Sequence, residues 1–145
     1  MGRCVGIDFG DRRIGVALGD PSGIMAFPHE TLEYSGKMGE GLSAVVEALA
    51  EFELDFVIVG MPYNMDGSQG RQAERTASFI GELRHRLPEG VVVEGWDERL
   101  TSVQASKVLT GAGVKAKAQK GKLDKIAAAL ILQAWLDHRL ATASQ

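Results

Sequence analysis

VGIDFGDRRIGVALGD, Val5 to Asp20, reads as two apolar strands joined by a tight, charged turn. Apolar side chains alternate with small ones on either side of Gly10-Asp11, the pattern of a hairpin over Arg3 to Phe9 and Arg13 to Gly19. Asp8 breaks that pattern. It stands between Ile7 and Phe9, inside the first apolar run, and two arginines, Arg12 and Arg13, follow at once. A turn needs one Gly or Asp. It does not need an acid within the strand and two cations just after it.

Outward from the hairpin, Ile24 to Tyr34 holds a third strand, interrupted by Pro28, which suits a sheet edge. Leu42, Val45, Val46, Leu49 and Phe52 make a helical stripe over Gly41 to Phe52. Phe56-Val57-Ile58-Val59 is a continuous apolar run ended by Gly60, the mark of a strand covered on both faces. Met61 to Gly70 is a turn-rich loop. Helical period returns from Gln72 to Leu87 and stops at Pro88. Val91-Val92-Val93 starts a fifth strand that runs on toward Trp96, Asp97 and Glu98. Helices follow over Thr101 to Leu109 and Leu123 to Leu140, with a basic loop between them. The expected architecture is α/β: three antiparallel strands, then two strands parallel to the first, in one mixed five-stranded sheet flanked by helices. The 145 residues suit a single domain, 1–145.

Composition narrows the class. Hydrophobic residues make up 45% and charged residues 24%, ordinary for a globular chain. No apolar run approaches the roughly 20 residues of a membrane helix, and no membrane partner is expected. The N-terminus lacks a signal-like apolar region. The single cysteine, Cys4, fits a reducing cytoplasm and a buried packing role. Net charge is −3, but the charges segregate. From His29 to Asp55 the acids Glu30, Glu33, Glu40, Glu47, Glu51, Glu53 and Asp55 face one base, Lys37. From Arg99 to Lys125 the bases Arg99, Lys107, Lys115, Lys117, Lys120, Lys122 and Lys125 face one acid, Asp124. A local positive field can steer a polyanion even on an acidic chain.

In such a sheet, ligands sit beyond the carboxyl ends of the parallel strands. Asp8 lies near that end of the first strand, the Gly60 to Gly70 loop leaves that end of the fourth, and Asp97-Glu98 leave it on the fifth. Asp124 heads the last helix and joins them if that helix packs across the same edge. Carboxylates brought together raise one another's pKa, and a divalent cation relieves the repulsion. Oxygen ligands suit Mg²⁺ or Mn²⁺, and two such ions can act together on a phosphodiester. Zinc is not indicated: His29, His85 and His138 are scattered and read as surface residues. The residues alone leave plainer readings open. Asp8 can be a turn or capping acid, Asp97 and Glu98 solvated loop acids, or Asp97 a cap of the Thr101 helix, and Asp124 a first-turn acid stabilised by the helix dipole. Adjacent residues in extended chain face opposite ways, so one of Asp97 and Glu98 is expected to face the site.

GIDFGDRRIGVALGD, VGMPYNMDGSQG, WDERLTS and LDKIAAALILQAWLD, in that order, resemble the YqgF (RuvX-like) family, bacterial Holliday-junction-resolvase-like proteins also described as nucleases for the precursor of 16S ribosomal RNA. The match spans nearly the whole chain. The resemblance implies an RNase H-like fold, metal-dependent phosphodiester hydrolysis, and Asp8, Glu98 and Asp124 as an acidic triad holding Mg²⁺ or Mn²⁺, with Asp8 bridging two ions. Two departures are local: Ser102 stands where the family often has Thr, and KAKAQKGK is a sparser basic run than the family pattern suggests. Under this reading Arg12 and Arg13 bind substrate phosphate, Asn64, Ser68 and Arg71 line the adjoining edge, and Lys115, Lys117, Lys120 and Lys122 touch backbone phosphates. For each, a solvated surface or turn role is the plain alternative. The expected partner is branched DNA, a ribosomal-RNA precursor, or both. Symmetric cutting of a junction favours a homodimer. Two other functions compete: a non-catalytic ribosome-maturation factor, and an actin-like ATPase, which would need a second domain to close over a nucleotide.

Overall fold

The computed structural model describes residues 2–100 and 120–143, with side chains of the last helix described from residue 123. The expected helix over Thr101 to Leu109 lies outside these residues. In chain order come β1 (Arg3–Phe9), β2 (Arg13–Gly19), β3 (Ala26–Glu33), α1 (Met38–Leu49), β4 (Leu54–Met61), α2 (Arg71–Arg86), β5 (Val92–Asp97), a short 3₁₀ turn (Glu98–Leu100) and α3 (Lys120–Ala143). The sheet order is β3-β2-β1-β4-β5. β1, β2 and β3 pair antiparallel, and β4 and β5 run parallel to β1. Three antiparallel strands followed by two parallel ones is the arrangement that the sequence predicts.

Strand alternation divides the sheet into two unlike faces. Val5, Ile7 and Phe9 of β1, Ile14, Val16 and Leu18 of β2, and Val57, Val59 and Met61 of β4 pack with α1 and α2 in the larger core. Phe79 and Leu83 of α2 are fully buried there, each worth about 1.5–3 kcal/mol of transfer free energy. The other face presents small residues: Gly6 of β1, and Gly15, Ala17 and Gly19 of β2. α3 lies on that face. Its stripe Ala128, Ile131, Leu132, Trp135 and Leu136 recurs at helical spacing and is buried, with Cys4, Ala17 and Ile58, in a second cluster. Backbone contact is close. A methyl group at Gly6 would stand 2.6 Å from the Ala128 carbonyl oxygen.

Some boundaries differ from the sequence reading. α1 begins at Met38, which extends the apolar stripe of Leu42 and Val45 onto the core, and ends at Leu49, because Phe52 already belongs to a turn, its amide donating to the Leu49 carbonyl (3.1 Å). β3 is an edge strand, as Pro28 suggested. His29 is the extra residue of a bulge, since Val16 pairs with Glu30 and Ala17 with Pro28. α3 starts at Lys120, not Leu123, which moves Asp124 out of the first turn. The dipole explanation for that acid therefore weakens. Of the residues expected to lock α3, Ile131 is buried, whereas Ile126, Ala127 and Leu130 are half-buried. His29, His85 and His138 are exposed, and Trp135 belongs to the core. Among the described residues no helix is long and apolar enough to cross a membrane.

Candidate active site

Asp8 belongs to the face of β1 that carries α3. On β2 its partner is Gly15. On β4, Ile7 pairs with Val59, so the position beside Asp8 is Gly60. Asp8 is thus flanked by a glycine on each neighbouring strand, and a second acid stands over each glycine. A side chain at Gly15 would run into the backbone carbonyl of Asp124 and the Lys125 amide. A side chain at Gly60 would meet the Glu98 carboxylate and the tip of Ile131. The row Gly15–Asp8–Gly60 gives α3 and Glu98 room to settle beside the central acid.

The electrostatics follow. The Asp8 carboxyl is pushed up to about 7, first by burial and then by the negative charges of Glu98 and Asp124. Glu98 is raised as well, mainly by burial and next by the charge of Asp97. Asp97 faces elsewhere. Arg99 donates to both its oxygens, Nε at 3.0 Å from each and a terminal nitrogen at 2.6 Å from one, and this pairing holds Asp97 below the usual carboxylate range. One of the two adjacent acids therefore faces the site and the other anchors the 3₁₀ turn.

Arg13 also enters the site. Its Nε donates to Asp124 Oδ2 at 2.9 Å, with both side chains partly buried. The sequence reading placed Arg13 on substrate phosphate and did not foresee this pairing. Residues 111 positions apart carry no local signal of it. Arg12 points away, into a cleft with Arg71 on the opposite side of the sheet. Asn64, Asp66 and Ser68 bond mainly to one another. Asn64 Nδ2 donates to the Ser68 hydroxyl (3.0 Å), and the Ser68 hydroxyl donates to Asp66 (2.6 Å). Gly67, at φ +87°, makes the turn. Arg99 reaches the Met65 carbonyl at 3.4 Å and lies over the Tyr63 ring, so this loop is tied to the segment that carries Glu98. Lys115 and Lys117 lie outside the described residues. Lys120 and Lys122 fall in the first turn of α3, and their side chains lie outside the described part of that helix. The glycines that frame Asp8 were the missed signal: glycine inside a strand marks close approach of another backbone or group.

Among the described residues no three His, Cys, Asp or Glu side chains gather at metal-ligand spacing. Asp8, Glu98 and Asp124 meet as a cluster of charge, with Asp124 held by Arg13. The chemistry of the donor set suits a hard divalent cation: three carboxylates, no sulfur or imidazole, and a central acid whose ionisation is suppressed first by burial and then by its neighbours.

A mixed sheet in this order, crossed by one long helix that brings an acid to the end of β1, is the RNase H-like architecture of the resolvases. It superposes on RuvC from Thermus thermophilus in complex with a Holliday junction substrate with a TM-score of 0.63, at 20% identity over 98% of each chain. The fowlpox virus Holliday junction resolvase gives 0.52, at 14% identity, covering 94% of this chain and 99% of that one. A family profile described as RuvX, Holliday junction resolvase, matches residues 2–138, and the chain belongs to that family. It is 44% identical over 137 residues to a protein of Halothermothrix orenii named "Putative pre-16S rRNA nuclease", covering 94% of this chain and 96% of that one. A protein of the same name from Nocardia farcinica is 41% identical over 145 residues, covering 97% and 80%. With such relatives the chain is an enzyme of the nuclease class.

Proposed function

We propose that this protein is a metal-dependent endonuclease that hydrolyses phosphodiester bonds in structured nucleic acid, a four-way DNA junction or the precursor of 16S ribosomal RNA, using Asp8, Glu98 and Asp124 as its acidic triad. The observation that supports this best is the meeting of those three acids over the Gly15–Asp8–Gly60 row. Bound Mg²⁺ or Mn²⁺ would activate water and stabilise the leaving oxygen. The chain's own groups have separate tasks. Asp8 and Glu98, partly desolvated, supply oxygen ligands whose charge is fully expressed only beside a cation. Asp124 is a third ligand carried by α3, and Arg13 fixes its rotamer at 2.9 Å. The apolar seat of α3 on Gly6 and Ala17 holds that ligand at a set height above the sheet. Symmetric incision of a junction requires two such sites, hence two copies of the chain.

The test is cleavage of a synthetic four-way junction and of a 16S precursor fragment, each with Mg²⁺, Mn²⁺ or EDTA. Wild type should cut at least one substrate in a metal-dependent way. Asp8→Asn should lose about 10²-fold or more while still binding it, in line with the loss of a principal electrostatic group. Undiminished cutting by Asp8→Asn would remove the mechanism. Metal-independent binding without cutting by wild type would favour a maturation factor.

A further inference from the structure

A cleft of about 660 Å³ opens on the side of the sheet away from α3. Three separate segments build it: the β1–β2 turn with Asp11 and Arg12, the Ser35 to Lys37 loop, and the first turns of α2 with Arg71 and Arg75. Four cations thus surround it with one carboxylate, on a chain whose net charge is −3. Arg12, Lys37 and Arg71 form no ion pair among the described residues. Unpaired like charges around one hollow repel, and an anion between them removes that cost.

Arg75 is held differently. Its guanidinium donates to the Gly36 carbonyl at 2.5 Å and to the Tyr34 hydroxyl at 3.1 Å, and lies 4.8 Å from the centre of the Phe9 ring. Phe9 in turn stacks on Phe79 at 4.1 Å. The ion pair of Arg75 with Asp11, 3.3 Å to a carboxylate that is 80% exposed, neutralises it weakly. Arg75 is therefore a fixed positive floor, and the three free cations form the walls. Phe9, the ring directly beneath Arg75, is buried and offers no face for a base to stack on. The chemistry selects phosphate over nucleobase.

The position matters as much as the charge. Asp8 and Asp11 are three residues apart, so their Cα atoms are separated by at most about 11 Å. The cleft and the acidic cluster share the carboxyl end of β1 and open on opposite sides of it.

We propose that this cleft is a phosphate-binding subsite that holds the substrate strand at a phosphate other than the one attacked, without help from the divalent ion. The proposal rests on the nuclease reading for the identity of the strand. The phosphate-binding chemistry itself does not. The phosphate can be an internal diester or a terminal monoester.

The experiment is done in EDTA, where nothing is cut. Addition of inorganic phosphate or pyrophosphate to ¹⁵N-labelled wild type should shift the amide resonances of Gly36 and Gln72. The double variant Lys37→Gln, Arg71→Gln should lose those shifts. Both residues are exposed, so the variant should keep its melting temperature. Binding of labelled junction DNA and hairpin RNA should weaken on the order of tenfold in the double variant, with a salt slope smaller by about 1 for each phosphate no longer neutralised. Arg86→Gln removes a like charge at the far end of α2 and should change affinity less than twofold. Parallel oligonucleotides with a 5′-phosphate or a 5′-hydroxyl separate the sources. Equal weakening on both assigns the cleft to an internal diester, and weakening on the phosphorylated one alone assigns it to a chain end. Absence of amide shifts, or unchanged affinity and salt slope in the double variant, overturns the proposal. Undiminished cutting by Asp8→Asn would leave the cleft result standing and remove only the nuclease mechanism.

Discussion

At the scale of single residues, the catalytic role proposed for Asp8 opposes the demands of folding. The Asp8 carboxyl titrates near 7 in the folded chain, against 3.8 for the free side chain. Between those values the folded state keeps a proton that the unfolded state has released. The stability associated with the protonated carboxyl is present in full below about pH 4 and is lost as pH rises through 7. In EDTA, Asp8→Asn should therefore be more stable than wild type at pH 8 by about 2 kcal/mol, a value reduced from the full linkage because solvent reaches part of the group. At pH 4 the two should agree within about 0.5 kcal/mol on the same reasoning. Urea denaturation at both pH values checks this, and equal stability at pH 8 would contradict the burial and charge assigned to Asp8. The sequence hinted at this residue because an acid interrupts an otherwise apolar strand, although its burial comes from α3 on the face opposite Ile7 and Phe9. It gave no hint that Arg13 would hold Asp124, a pairing made only by the folded chain.

At the scale of elements, close approach of α3 depends on what the strands leave out. Gly15→Ala would put a methyl group into the Asp124 carbonyl, so the helix must lift or the strand must sink. The expected cost is about 1–3 kcal/mol, as for other overpacked sites, together with loss of cleavage as Asp124 shifts. Gly81→Ala is the opposite case. Nothing lies within 4 Å of that position in the interior of α2, so alanine should stabilise the protein by about 0.5–1 kcal/mol. Thermal melts of the pair, with opposite signs, test the packing account. The strands themselves were legible: alternation in β1 and β2 and the apolar run in β4 named their faces. Helix ends were less so: Met38 at the start of α1 lies four residues before Leu42 on the same core-facing stripe, yet the sequence reading starts the stripe only at Leu42. The glycines of the sheet could have been read as seats for a helix, but only once strand pairing set Gly15 opposite Asp8.

For the whole molecule, the proposed metal binding would be linked to stability. A ligand at 100 times its dissociation constant adds about 2.7 kcal/mol to the state that binds it. At pH 8, saturating Mn²⁺ should raise the wild-type melting temperature by roughly 5–10 °C, given the usual scaling for a chain of this size. In Asp8→Asn the rise should be less than half as large. The advantage of Asp8→Asn over wild type in EDTA should thus shrink in Mn²⁺, which scanning calorimetry would show. An unchanged difference would separate the acidic cluster from metal binding. The charge map of the sequence was a partial guide at this scale. The acidic run around α1 and the basic run before α3 were visible, but the cationic cleft was not. Arg12, Lys37, Arg71 and Arg75 come from three separate segments and belong to no run.

The hairpin register also has a bearing on errors in folding. Side chains in a strand alternate with a period of two, so a slip of β2 by a single position would send Gly15 to the wrong surface and set Ile14 or Val16 beneath α3. Neither branched chain leaves space for a helix backbone at that distance. A misaligned hairpin would then be denied its last helix and, with it, the third carboxylate. Assembly of the proposed catalytic cluster would serve in this way as the fold's own proofreading: a chain able to gather its three acids has paired its first two strands correctly.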